Sequence, residues 1–282
     1  MSPSTLLEER TAARPNPRQE EAAKAKGVAF GRGRALTFGR GLAGILALAL
    51  AWEYAPRLEL VNPYFFPPLH VVLQEWWAMA QSGELWRNVR SSLVRSGAGF
   101  GLAIAIAIPL GAAIAWYRPV REFLTPTLEV FRNTAALAIL PVFTLILGIG
   151  ETSKIAIVLY ACFFPILLAT IAGVATVDPQ LLRSAKVLGM SPVTTFRKVV
   201  FPAAIPTIFT GIRISGAVSI LVLIAAEYVG ANAGLGFLIS YSNANFLIPK
   251  MYAAILTTSA LGLAVNYGLV WLERRFSRWR TA

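Results

Sequence analysis

The sequence predicts an all-α, polytopic membrane protein with about six transmembrane helices. Three observations predict it. Long uncharged apolar runs recur along the 282 residues, charged residues make up only 14% of them, and the basic residues gather between the runs. Soluble domains carry about 25% charged residues. The hydrophobic share here is 56% and the mean hydropathy is +0.61. A helix needs about 20 apolar residues to cross a hydrocarbon core about 30 Å thick, and bilayer-spanning segments are where such runs are required. The single Cys, Cys162, and single His, His70, exclude an intramolecular disulfide and argue against a Cys-based or multi-histidine metal site or histidine-dependent catalysis. No cofactor is expected.

Residues 1–34 hold Arg and Lys among Pro, Ala, Gln and Glu without apolar periodicity, and read as a disordered basic cytoplasmic tail. No small-residue cleavage site follows the next apolar stretch, so the tail is expected to stay on the chain. That stretch, Gly41–Trp52, needs extension to about 35–55 to span, with Arg40 and Glu53 near the interfaces. After Pro63, Pro67 and Pro68, the helix-like spacing of Val72, Trp76, Trp77, Met79, Leu85, Trp86, Val89 and Leu93 predicts a periplasmic interfacial helix within 35–96, its indole rings at headgroup depth.

Uncharged runs at Gly97–Trp116, Thr134–Gly150, Ile155–Val177 and Met251–Leu272 give four further spans. Ile214–Ala231, uncharged except for Glu227, gives another. Together with 178–206, which lies between spans, they form a core over 97–275, followed by a cytoplasmic tail at 276–282. With the N-terminus inside, six basic residues fall outside, namely Arg57, Arg87, Arg90, Arg95, Lys154 and Lys250, and the other twenty fall inside. The positive-inside rule selects this orientation, a multi-pass protein of a bacterial cytoplasmic (inner) membrane with both termini cytoplasmic. The net charge of +12 is then a matter of topology, and no nucleic acid is expected as a partner.

The most informative stretch is the inside segment VDPQLLRSAKVLGMSPVTTFRKVVFPAAIPTIFTGIR. Asp178 and Pro179 signal a helix start, Leu181, Leu182, Ala185 and Leu188 give it an apolar face, and Gly189 stops it. Ser191 and Pro192 open a second short helix with an apolar stripe of Val193, Phe196, Val199 and Val200, which Pro202 and Pro206 are expected to terminate. The product is a helical hairpin with small residues at its tip, a shape that suits a partner's groove.

This hairpin resembles the cytoplasmic signature loop of ABC importer permeases, Glu-Ala-Ala, three residues, Gly, nine residues, Ile-x-Leu-Pro. Its counterparts are Arg183, Ser184 and Ala185, then Gly189, then Val199, Phe201 and Pro202, with the spacing intact. Arg183 stands where the family has Glu and Ser184 where it has Ala, a departure that touches the acidic contact with the ATPase. The segments at 91–116, 148–179 and 226–239 are similar to the sulfonate, taurine, nitrate and bicarbonate importer branch. The resemblance covers about 60–280 and implies a MetI-like permease core. That branch often has Ile-Pro-Pro near Asn133, where this chain continues Thr134, Ala135, Ala136, a difference that bears on substrate.

The resemblance implies a translocation pathway for a small anionic solute, moved by alternating access. It implies two ATP-binding-cassette ATPase subunits docked through 178–206 (Arg183, Ser184, Ala185, Gly189, Ser191, Pro192, Phe196 and Pro202), a second copy of the permease, and a periplasmic or lipid-anchored substrate-binding protein, all within membrane lipid. The chain is then not an enzyme itself. No Lys in it follows a Gly, so the phosphate-binding loop Gly-x-x-x-x-Gly-Lys-Ser/Thr is absent and ATP hydrolysis is expected in another subunit.

Within the spans, Glu227 carries a charge that costs about 2.5 to 3.5 kcal/mol to insert, so it is expected to face protein or water as a gate or a structural pair. The plainer reading puts it near the outer interface, capping a short helix or pairing with Lys250 or a neighbouring chain. Ser215 and Ser219, at i and i+4, are read either as pathway lining or as packing points. Asn133 and Asn243 are the other pathway candidates, Asn243 lying in a segment, 228–249, that is either re-entrant or a plain loop. A self-contained secondary transporter or channel is the alternative, but it predicts more intramembrane charge and two similar halves. An intramembrane enzyme would need a His, Asp or Cys constellation, which Cys162 and Glu227 do not make.

Overall fold

The computed structural model describes residues 43–276, all-α with no strand among them. The tail expected at 1–34, all but the first residue of the tail expected at 276–282, and the first part of the expected span at 35–55 lie outside the described residues. The chain divides into two compact units, Met1–Leu69 and His70–Ala282.

In the first unit, helix α1 covers residues 43–57. It is closed by local contacts: the Trp52 indole donates to the Pro67 carbonyl at 3.1 Å and packs 5.6 Å from the Phe66 ring. Arg57 pairs with Glu53 one turn earlier.

The second unit is a helical bundle. Its elements are α2 (Leu69–Gln81, from its second residue), α3 (Glu84–Trp116), α4 (Arg118–Arg132), a 3-10 turn (Ala136–Ile139), α5 (Leu140–Leu147), α6 (Glu151–Ala175), α7 (Pro179–Val187), α8 (Pro192–Thr195), a π turn (Phe196–Val200), α9 (Phe201–Gly230), α10 (Leu235–Ala244) and α11 (Ile248–Phe276). The helices at Glu84–Trp116, Glu151–Ala175, Pro192–Gly230 and Ile248–Arg275 are long and apolar enough to cross a membrane. The bent pair at 118–147 makes a fifth candidate span.

α6 is the central element, packed along α3 on one side and α9 on the other. Small residues set the spacing. A Cβ at Gly99 would lie 2.7 Å from the Ile155 carbonyl and from Val158 Cβ, so only glycine lets α3 approach α6 this closely. The seams are filled by Ala103, Ala107, Ile157, Val158, Cys162, Ile166, Leu167, Ala204, Ile208 and Leu223, all buried. α11 packs on α9 and α10, and side-chain pairs tie it at both ends: Lys250 to Glu84 at 2.8 Å and Arg213 to Glu273 at 3.3 Å.

Three expectations are corrected. The interfacial helix across Val72 to Leu93 is two helices, because Gly83 adopts φ +77 and breaks it, and the second half runs unbroken into the span as α3. The third span is not a helix over Thr134–Gly150. Pro141 has no N–H to continue an α turn, so the chain passes through a 3-10 turn before α5, at 86° to α4. Ala136–Leu147 reaches only about 18 Å at 1.5 Å per residue, short of a full core. Finally, Pro202 does not terminate the hairpin's second helix. The preceding turn widens so that the Phe201 N–H donates to the Phe196 carbonyl, five residues back, and the helix continues through Pro202 and Pro206 to Gly230.

Candidate functional site

At one end of the bundle, α7 and α8 form the predicted hairpin. Asp178 caps α7 by accepting from the Gln180 N–H at 2.7 Å, and Pro179 occupies the first turn, where its missing N–H costs nothing. α7 ends where Gly189 adopts φ +67, its N–H donating to the Lys186 carbonyl, with the Met190 N–H reaching Ala185. Ser191 caps α8 through the Thr194 N–H at 3.3 Å, with Pro192 behind it. Ala185 is buried, and the Phe196 ring meets Trp116 of α3 edge-on at 5.2 Å. These contacts fasten the hairpin to the bundle. Its tip is more apolar than small: Val187 is 88% exposed, Leu188 76%, and Val193 on α8 is exposed too. Arg183 and Ser184 are exposed on α7, and Pro202 lies in the first turn of α9.

The opposite end holds a buried polar cluster. Glu227 on α9 is 0% exposed. Its carboxylate accepts from Arg95 Nη1 at 2.7 Å, from Ser92 Oγ at 2.8 Å and from the Gly236 N–H at 3.0 Å. Arg95 also donates from Nη1 to the Ala233 carbonyl at 2.6 Å, and its Nε and Nη2 form a fork on Glu151, the second arm 2.5 Å long. Ser92 Oγ accepts the Leu235 N–H and Asn88 Oδ1 accepts the Gly234 N–H, each at 2.9 Å. The start of α10 is thereby bonded to α3. A Cβ on Gly234, at φ +116, would collide with the Glu227 carboxylate, and one on Gly236 would lie 2.6 Å from Glu227 Cβ. Lys154, one turn into α6, is buried too and donates to the Gly150 carbonyl at 3.0 Å.

Glu227 is thus paired, but with Arg95; Lys250 pairs with Glu84 instead. The segment 228–249 is not a plain loop, since α10, ten residues long, lies in its middle with Leu235, Gly236, Leu238 and Ser242 buried. Ser215 and Ser219 sit in helix seams: Ser215 Oγ donates to the Cys162 carbonyl at 3.1 Å, and Ser96 Oγ donates to Ser219 Oγ at 3.0 Å. Asn133 caps α4 and lines a cavity of about 490 Å³ with Thr134, Tyr160, Phe164, Val218 and Val222. Asn243 is exposed on α10, near Met251. The structure therefore gathers the hairpin residues at one end and Glu227 at the other, and it leaves Asn133, Asn243 and the two serines apart.

Arg95, Glu151, Lys154, Ser92 and Asn88 were not singled out as site residues from sequence. One signal was present. Asn88, Ser92, Arg95 and Ser96 recur at helical spacing, a polar stripe entering an apolar run.

Residues 105–278 match the family described as binding-protein-dependent transport system inner membrane component. The taurine transport system permease protein of Escherichia coli K12 is 34% identical over 84% of this chain and 88% of its own length. A Bacillus subtilis protein whose name assigns it to aliphatic sulfonates transport is 29% identical over 82% of this chain and 84% of its own. Among solved structures, an inward-facing methionine ABC transporter superposes with a TM-score of 0.59 at 18% identity, over 68% of this chain and 95% of its own, a likeness of fold.

Proposed function

We propose, from the premise that this chain belongs to the family of binding-protein-dependent transport system inner membrane components, how its two ends divide the work of transport. The chain is the transmembrane permease subunit of an ATP-driven importer. Its hairpin end lies in the cytoplasm and docks on a separate ATPase; its other end faces the outside and receives cargo from a binding protein. Two copies of the permease flank the pathway and two ATPases dock below them. The cargo is a small anion of the sulfonate class, in keeping with the names carried by the taurine and aliphatic sulfonate relatives. Closure of the ATPase pair on ATP moves the hairpins, and rigid-body motion of packed helices turns the cavity outward.

The observation that carries the docking role is the hairpin's exposed tip. Val187, Leu188 and Val193 face outward on a hairpin fixed by two caps and by Phe196 against Trp116. Exposed aliphatic side chains on a rigid support are what a protein groove buries. The test is co-purification with the candidate ATPase in detergent, comparing the intact chain with a Val187→Asp, Leu188→Asp variant. The intact chain should bring down ATPase in fixed ratio and the variant should lose it. No association with the intact chain would return the protein to the self-contained transporter reading. Uptake of a labelled sulfonate into vesicles bearing the complete system tests the cargo class.

A further inference from the structure

The cluster at the end remote from the hairpin holds two buried cations, Arg95 and Lys154, against one buried carboxylate, Glu227. The fourth member, Glu151, differs in kind: its side chain is 65% exposed, while the Arg95 side chain it holds is 5% exposed. A buried guanidinium therefore turns its planar fork toward water, where a solvated side chain closes it. The fork opens on a cavity of about 540 Å³ lined by Trp86, Arg87, Arg90, Val94, Arg95 and Glu151. Arg87 and Arg90 are exposed and have no carboxylate within ion-pair distance among the described residues, so the cavity mouth is basic.

We propose that Arg95 binds the anionic head group of the cargo, a sulfonate or carboxylate, and that the Glu151 carboxylate is its resident stand-in. The proposal rests on the reading of the chain as an importer of small anions and names the residue that meets them. A sulfonate presents a pair of oxygens to a guanidinium fork as a carboxylate does, which a single-point ammonium does not match. Of the two carboxylates on Arg95, only Glu151 is free to leave. Glu227 is enclosed by Ser92, the Gly236 N–H and the backbone at Gly234.

When Glu151 swings into water the buried groups sum to one positive charge, and an arriving anion restores neutrality. Exchanging one anion for another avoids leaving a buried cation unpaired, which would be strongly unfavourable. The same competition keeps the site weak enough to release what it binds. Arg87 and Arg90, farther out on α3, raise the local anion concentration, and Trp86 and Val94 offer apolar surface to the organic part of the cargo.

The test uses the permease with its ATPase in detergent, without binding protein, and measures equilibrium binding of labelled ethanesulfonate. Glu151→Ala should bind about tenfold or more tightly than the intact chain, since the competing carboxylate is gone. Acetate should displace the probe and ethanol should not. Adding Arg95→Lys to Glu151→Ala should abolish the gain; because Arg95→Lys can lose the fold, Glu151→Ala carries the decision alone. Equal binding by folded Glu151→Ala and intact chain overturns the proposal. If sulfonate uptake proceeds while Glu151→Ala shows no tightening, the transport reading stands and the Arg95 site falls. If Glu151→Ala tightens but the complete system imports no sulfonate, the Arg95 site stands and only the cargo assignment falls.

Discussion

The two ends of the bundle are built on opposite principles. At the hairpin, every bond that shapes the backbone is local: Asp178 to Gln180, Gly189 to Lys186, Met190 to Ala185, Ser191 to Thr194. The apolar side chains at the tip are left exposed. At the Arg95 cluster almost every bond is long-range, joining α3 to α6, α9 and α10, and the side chains are enclosed except for Glu151. An element proposed to dock on another protein can be preorganised from within and keep its energy for the partner. An element that holds four helices in register at the membrane's edge has to satisfy its own charges, because leaving one unpaired there is expensive.

The position of Arg95 agrees with this division. From Gly97 to Trp116 α3 is uncharged over about 30 Å, a full hydrocarbon core at 1.5 Å per residue. Arg95 thus stands just outside that core, where pairing and nearby water both reduce the penalty of a charge.

Variants can break or sharpen the contrast. The largest effect is expected from Glu227→Ala, which leaves Arg95 short of a buried partner and strips the Ser92 hydroxyl and Gly236 N–H of their acceptor. Loss of one partner of a buried ion pair costs about 3 to 5 kcal/mol, so thermal unfolding in detergent should fall sharply and folded yield with it. Glu227→Gln, which keeps acceptors for Ser92 and Gly236, should recover part of that loss. Gly236→Ala comes next, at about 1 to 3 kcal/mol, because its Cβ has nowhere to go between Ile224 and Glu227. A thermal shift below a tenth of that for Glu227→Ala would mean α10 is free to move away, and the cluster would be a looser latch than its bonds imply.

Smaller effects belong to the hairpin. Gly189→Ala places a side chain at φ +67 and should cost about 1 to 2 kcal/mol, felt as weaker ATPase recovery more than as lost fold. Ser191→Ala removes a helix cap worth about 1 kcal/mol, with a fractional drop in recovery. Smallest for stability is Val187→Asp with Leu188→Asp, expected within about 0.5 kcal/mol of the intact chain, since both side chains already face solvent. That pair should nonetheless abolish ATPase association. The contrast fails if any hairpin variant lowers thermal stability as much as Glu227→Ala does, or if folded cluster variants lose the ATPase.

The same contrast explains what could be read in advance. Residues that act on near neighbours announce themselves. Asp178-Pro179, Gly189 and Ser191-Pro192 state where the hairpin's helices start and stop, and its first helix runs as predicted. The uncharged runs at Gly97–Trp116, Ile155–Val177 and Met251–Leu272 likewise lie along α3, α6 and α11, because span length is a one-dimensional property. Failures came where a residue's effect depends on its surroundings. Gly83 breaks a pattern that apolar spacing alone continued, and Pro141 turns the third span aside. Pro202, expected to end a helix, is absorbed by a widened turn.

Composition, periodicity and turn chemistry by themselves determined an all-helical membrane protein, the helical hairpin between two spans, and Glu227 as a charge that needed a partner. Which partner it has was decided only by the fold. Arg95 lies 132 positions away in sequence and Gly236 only nine, yet both reach the same carboxylate because α3, α9 and α10 converge at one end. Charge pairing across helices is set by their packing, here by the close approach that Gly99 allows against Ile155 and Val158. Spacing along the chain records which face of a helix is polar; only the assembled bundle decides what that face meets.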